Sequence, residues 1–429
     1  MFFDERFQSI HFKKSSILNL IGFLQTMGFA ISLFIIPIYL YQIFKSGEII
    51  GQINSFAGLM GILATLLISF LLTKFERGTN FKIATFSILT ALIGFIFISN
   101  YIEAIGYRSF LMIGGVITGS VLSLYLKDIS ELTELSKNQG KFQVSKNIAW
   151  LIGPVSAGFL FDFVEKNKEF LINLFQFLGN GKNLEYYTLF ASALFFFILS
   201  FFVFLYGKFI IKHPHLQQKP HSKKINSHHH YSKFEFIWEY FQNKYRTLSF
   251  LNIMFLNTWF AIGYSFGFII LLEQFGIPKS QMGIFFGLLG LPLILIEGFL
   301  DKFIKKLGSS LNVLIFGYGF FITFISLSFF VGFDNFYLFV GLYIFAHIGI
   351  AMVEPLQEYQ YYEGVNEKNQ EKFYSIHSIG GAIARLVAPV LFGIGIAEYG
   401  ILKTFYFLPG LLFLFFIGLL IFKFGFDKK

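Results

Sequence analysis

Across 429 residues, 55% of the side chains are hydrophobic and only 14% charged, with a mean hydropathy of +0.64; a soluble domain carries about 25% charged residues. The formal net charge of +9 would suit a nucleic-acid binder, but Lys and Arg lie between long apolar blocks rather than on one face of a soluble domain. The lack of cysteine excludes disulfides, haem thioether links and thiolate metal sites.

Taken from the N-terminus, the chain alternates apolar blocks with short polar segments. The block 18–44 runs 27 residues without a charge, and 186–207 has none either. A run of about 18 or more apolar residues can cross a bilayer as a helix. The first block is too long for a signal-peptide core and lacks a small-residue cleavage site, so it reads as a retained helix. Twelve spans are predicted, near 17–44, 49–72, 82–103, 109–127, 143–163, 187–211, 248–272, 280–300, 311–332, 336–356, 374–397 and 404–424. Between the sixth and seventh, residues 213–247 differ in kind. "HPHLQQKPHSKKINSHHHYSK" holds six of the nine histidines and no acid. It reads as a cytoplasmic linker attracted to anionic lipid, with metal binding by the interleaved His as the alternative. "FEFIWEYFQN" (234–243) has the pattern of an interfacial amphipathic helix.

With the N-terminus placed inside, 26 Lys and Arg fall in inside segments and 7 outside. Positive charge marks the cytoplasmic side, so both termini are expected in the cytoplasm. Only Arg385 lies within a span.

The chain also repeats itself. "KNQGKF" (137–142) returns as "KNQEKF" (368–373), each opening a span. "FLQTM" (23–27) pairs with "FLNTW" (255–259), and "LLTKF" (71–75) with "FLDKF" (299–303), all near one offset. An offset of six spans, an even number, keeps both halves in one orientation. The expected fold is an all-α membrane protein of twelve transmembrane helices in two six-helix bundles, 1–212 and 248–429, related by a parallel pseudo-two-fold repeat.

Further residues carry a family resemblance. "GFLDKFIKKLG" (298–308), with Asp301 and Lys302, resembles the G-x-x-x-D-R-x-G-R-like loop of the major facilitator superfamily. The counterpart "SFLLTKFERG" (69–78) has Thr73 for the aspartate and keeps Arg77. The fifth span reads Gly140, Ala149, Gly153-Pro154 and Ala157-Gly158, similar to the G-x8-G-x3-G-P-x2-G-G pattern of antiporters in this superfamily. Ser375, Ala384, Ala388-Pro389 and Gly393 repeat it faintly in the eleventh. Small residues permit close helix approach and Pro permits a kink. The resemblance implies alternating access, with Gly153, Pro154, Gly158, Asp301, Lys302 and Arg77 in conformational gating. It points to the drug/proton antiporter-like branch, although the fourth span offers only an entrance arginine, Arg108, and the first span has no acid.

Ionisable groups at membrane depth are costly and mark candidate sites. Arg385 lies near mid-span, His347 at similar depth, and Glu354 seven residues on from His347. Arg385 could meet an anionic ligand or pair with Glu354, and His347 or Glu354 could carry the coupling proton. The repeat sets Gln25 opposite Asn257. These amides, with Trp259, Tyr264 and Trp150 as aromatic walls, complete the candidate substrate site, against the plainer reading that aromatics only pack.

The expectation is a secondary active transporter that moves a small amphipathic or anionic solute, by proton-coupled export. The alternatives are proton-coupled uptake of a sugar or organic anion, divalent metal export, and a non-transporting membrane sensor. No nucleotide loop, metal-ligand helix pair or nucleophile motif suggests an enzyme. No cofactor and no metal are called for. The expected partners are the solute, protons or another ion and the bilayer of an inner or plasma membrane, without nucleic acid, for a chain acting as a monomer.

Overall fold

The computed structural model describes residues 2–129, 135–174, 183–210, 233–296, 299–332, 334–365 and 370–426. Its regular elements are helices: α1 (Phe2–Phe44), α2 (Gly47–Lys74), α3 (Arg77–Ile96), α4 (Tyr101–Ile129), α5 (Leu135–Lys166), α6 (Lys168–Leu174), α7 (Leu184–Ile210), α8 (Lys233–Phe241), α9 (Lys244–Phe275), α10 (Lys279–Leu288), α11 (Gly290–Ile296), α12 (Leu300–Leu307), α13 (Ser310–Val331), α14 (Phe336–Val353), α15 (Leu356–Glu363), α16 (Gln370–Tyr399) and α17 (Ile401–Phe426). Among the described residues, 12 helices are long and apolar enough to cross a membrane. The eighth span is α10 followed by α11, broken where Pro292 lacks the N–H that would reach back to Leu288. The tenth breaks at Glu354-Pro355 and resumes as α15.

One predicted boundary is corrected. The third span ends at Ile96 and the fourth begins at Tyr101, earlier than hydropathy implied, because Ser99, Asn100 and Glu103 hydrogen-bond around the start of α4. The Glu103 amide donates to Asn100 Oδ1 at 3.0 Å, and Glu103 Oε2 accepts from the Ser99 amide at 2.8 Å. Arg108 therefore lies two turns inside α4 and is buried, not at an entrance. Asn243 and Asn335 start α9 and α14 in the same way, each accepting two backbone N–H bonds.

The chain forms two compact units. The first comprises Met1–Tyr39, Leu63–His228 and Pro278–Gly287; the second comprises Leu40–Ile62, His229–Ile277 and Leu288–Lys429. The first is centred on Leu18, Ile21, Phe81, Val121, Phe142 and Phe204 from α1, α3, α4, α5 and α7, with Phe81 stacked on Phe204 at 4.2 Å. In the second, α13 meets α14 at Gly317 and Gly349, whose missing side chains let the backbones touch. Asn252 ties three helices there: its Nδ2 donates to the Val353 carbonyl at 2.9 Å, and its Oδ1 accepts from the buried Tyr318 hydroxyl. Phe86, Phe97, Ile102, Phe202 and Phe407 stand outward and exposed, as surfaces solvated by lipid allow.

Candidate functional site

Arg385 is the tenth residue of the span Ile376–Tyr399, about 15 Å along its axis at 1.5 Å per residue. It is half-buried and makes no ion pair or hydrogen bond among the described residues. In particular, it does not pair with Glu354. A cation left thus in a span costs at least about 2.5 kcal/mol. One turn earlier on the same face of α16, Gly381 meets Asn257 of α9; a Cβ on the glycine would lie 2.7 Å from Asn257 Nδ2. Tyr264, seven residues along α9, shares that face of the helix and stacks on Phe260 at 6.0 Å. Asn257 thus lies at the α9–α16 contact, with Arg385 one turn on from Gly381 along α16 and Tyr264 two turns on from Asn257 along α9. Glu354, half-buried at the end of α14, interacts electrostatically with Tyr264.

Trp259 and His347 belong to a neighbouring aromatic layer, whose Tyr343 interacts electrostatically with Tyr264; Gln25 and Trp150 belong to the first unit. Trp259 is buried against Phe321 at 4.9 Å and Tyr343 at 5.6 Å, and His347 is stacked on Tyr343 at 5.2 Å. His347 Nδ1 lies 3.0 Å from the Tyr343 carbonyl oxygen, so Nδ1 carries the proton and Nε2 is the acceptor. These residues form a packed aromatic layer. Gln25 is buried in the first unit, where its Nε2 donates to Ser200 Oγ of α7 at 2.5 Å. Its Oε1 has no hydrogen-bond partner among the described residues. Trp150 is half-buried on α5.

The small residues make two matching seams. A Cβ on Gly51 of α2 would lie 3.1 Å from Gly393 Cα of α16 and collide with the Pro389 carbonyl. A Cβ on Gly283 of α10 would lie 3.2 Å from Gly158 Cα of α5 and collide with the Pro154 carbonyl. Gly51 and Gly283 are 232 positions apart, the offset of the repeat, so both halves make the same contact. A Cβ on Gly158 would in turn lie 2.9 Å from Ser280 Cα, and one on Gly153 would lie 2.6 Å from the Ala30 Cβ of α1. Near the first seam, Tyr41 Oη donates to Glu273 Oε1 at 2.9 Å. These two residues also stand 232 apart and end the repeat-related helices α1 and α9. A cavity of about 330 Å³ opens beside them, lined among others by Lys45, Ser46, Ile269 and Ile396. Reading residue types along the spans missed Tyr41, Glu273, Gly51 and Gly283; extending the 232-residue offset over the whole chain would have paired them.

In the first loop with a motif, Arg77 forms an ion pair with Asp128 at the end of α4 and donates to the Leu124 carbonyl at 3.3 Å. Asn80 is fully buried and donates to the Leu71 and Phe75 carbonyls at the end of α2. In the second loop, Lys302 is exposed over the Phe299 ring at 4.8 Å. The side chain of Asp301, and all of Gly298, Glu297 and the His-rich segment 213–232, lie outside the described residues.

A sequence model described as the Major Facilitator Superfamily matches residues 18–389. No curated protein sequence matches the chain. Among solved structures, a mutant of the nucleoside transporter NupG is similar at 13% identity and TM-score 0.71, covering 95% of this chain and 99% of its own. A POT family transporter in complex with a thioalcohol-conjugated peptide is similar at 13% identity and TM-score 0.71, with 96% of both chains covered. A bacterial homolog of the human lysosomal transporter Spinster, inward-facing and occupied, is similar at 13% identity and TM-score 0.65, covering 95% and 94%.

Proposed function

The chain belongs to the major facilitator superfamily, and from that premise we propose that this membrane transporter exports a small amphipathic or anionic solute in exchange for protons. The observation that carries the reading is Arg385: a permanent cation at span depth, without an ionic partner among the described residues, one turn along α16 from the Gly381 that meets Asn257. An anionic group on the solute would relieve its cost and could accept two parallel hydrogen bonds from the guanidinium. Glu354 is the group we assign to the coupling proton, because it combines a carboxylate, partial burial and electrostatic contact with Tyr264; His347 is the second candidate. In the cycle, the two seams at Gly51 and Gly283 and the Tyr41–Glu273 bond close one end of the solute path, and their release opens it. By the charge distribution we place both termini in the cytoplasm and the seams at the outer end.

The test is a thermal-shift panel of organic anions, amphipathic cations and sugars on the purified chain at two pH values. A ligand at about 100 times its Kd stabilises by about 2.7 kcal/mol. Arg385→Ala is expected to abolish the shift given by anions and leave the unliganded melting unchanged or improved. Arg385→Lys is expected to weaken binding about tenfold, about 1.4 kcal/mol, through lost bidentate geometry. Anion binding unchanged in Arg385→Ala would remove the arginine from the site. Counterflow from vesicles of defined orientation then separates export from uptake.

A further inference from the structure

Helix α8 lies outside the twelve spans, and only Gln242 and Asn243 separate it from α9. One side of it is fastened to the second unit. Tyr240 is fully buried, its hydroxyl donates to the Arg246 carbonyl at 3.1 Å, and its ring meets Phe373 at 5.7 Å. The Arg246 guanidinium lies 4.4 Å from the Phe373 centroid and 5.7 Å from the Tyr240 centroid, and its Nη2 donates to the Glu239 carbonyl at 2.6 Å. Phe373 closes the second repeated hexamer, so this clasp joins α8 to the opening of α16, the helix that carries Arg385.

So held, α8 leaves two apolar side chains outward. Trp238 is 69% exposed and Ile237 45% exposed, next to one another. Two residues make a patch far smaller than the roughly 800 Å² per partner of a stable protein interface. An indole one short link from the start of a span is placed instead at headgroup depth, where its apolar ring and polar N–H are both satisfied. By sequence, residues 208–246 contain eight Lys and Arg against two Glu, a composition complementary to phosphate, and of these Lys244, at the start of α9, is exposed.

We propose that α8 is a membrane-surface docking helix which seats Ile237 and Trp238 in the headgroup layer of anionic phospholipid, with the exposed Lys244 at the start of α9 neutralising lipid phosphate. Through the Arg246–Phe373 clasp, lipid at α8 bears on the start of α16. The proposal requires that the chain span a membrane and is independent of which solute it carries.

The chain has three tryptophans and no cysteine, which makes the surface easy to report on. The full-length Trp150→Phe/Trp259→Phe variant leaves Trp238 as the sole tryptophan, excited selectively at a wavelength where the 21 tyrosines do not absorb. It is reconstituted in nanodiscs of phosphatidylcholine alone and of phosphatidylcholine with phosphatidylglycerol. Trp238 is expected to emit to the blue of its position in detergent, to resist aqueous acrylamide and to be quenched by lipids brominated near the headgroup, most strongly in the anionic discs. Removing one charge with Lys244→Gln is expected to weaken the anionic-lipid preference about fivefold. If the double Trp variant does not fold, a spin label on Ile237→Cys reads the same depth from its relative accessibility to oxygen and to a water-soluble nickel chelate. Emission and accessibility like those of a water-exposed residue in both disc types would overturn the proposal and leave the face to a soluble partner. Equal immersion in both disc types would overturn the headgroup preference.

Discussion

Gly51→Ala and Gly283→Ala are each expected to part the helices of their own seam, by similar amounts. Each adds one methyl group at a helix contact that has no room for it. The new Cβ would lie 3.1 Å from Gly393 Cα in one seam and 3.2 Å from Gly158 Cα in the other, and closer still to the Pro389 or Pro154 carbonyl, against an ordinary contact of 3.4–4 Å. The obstacle is backbone in both cases, so no side chain can swing away and the helices themselves must part. Overpacking of this kind costs about 1–3 kcal/mol, which changes the ratio of closed to open molecules by about fivefold to 150-fold. The two seams share no residue, so the double variant is expected to show about the sum. Because the chain has no cysteine, spin labels can be placed on introduced cysteine pairs, Glu48 with Glu398 beside the first seam and Lys166 with Lys279 beside the second. Pulsed distance measurements on the reconstituted protein are expected to show a longer-distance population growing in either variant and dominating in the double. Unchanged distances in both, or a response in one seam only, would refute the reasoning that the repeat built one gate twice.

Tyr41→Phe removes the hydroxyl that donates to Glu273 and is expected to shift the same distance distributions in the same direction. The shift corresponds to about 0.5–1.5 kcal/mol, the net value of one hydrogen bond. Arg77→Ala and Asp128→Ala are expected to couple by no more than about 1 kcal/mol in a thermal double-mutant cycle, because both side chains are about 30% exposed; a larger coupling in transport rate than in stability would mark the pair as part of the moving parts. Reporter fusions after residues 225 and 429 are expected to read cytoplasm and one after 175 the outside, and an outside signal at 225 would reverse the assigned orientation.

The twelve spans and the family were legible in the sequence because a bilayer imposes a length on every helix that crosses it. Runs such as 18–44 admit no other reading, and the recurrence of "KNQGKF" as "KNQEKF" gave the repeat. The N-terminus of α4 was misplaced because hydropathy ignores caps: Asn100 and Glu103 start the helix ahead of the apolar run and carry Arg108 inside it. Tertiary structure alone decided which face of each span meets protein and which meets lipid. Lipid tails and a protein core are equally apolar, so a helix such as α17, apolar all round, does not write its orientation into its periodicity. For the same reason Trp259 and Trp238 look alike as residue types, yet one is 3% exposed in an aromatic core and the other 69% exposed. That Gly51 meets Gly393, that Tyr41 reaches Glu273, and that Arg385 finds no ionic partner among the described residues are consequences of helices packing at a distance in sequence, where only three-dimensional shape brings the groups together.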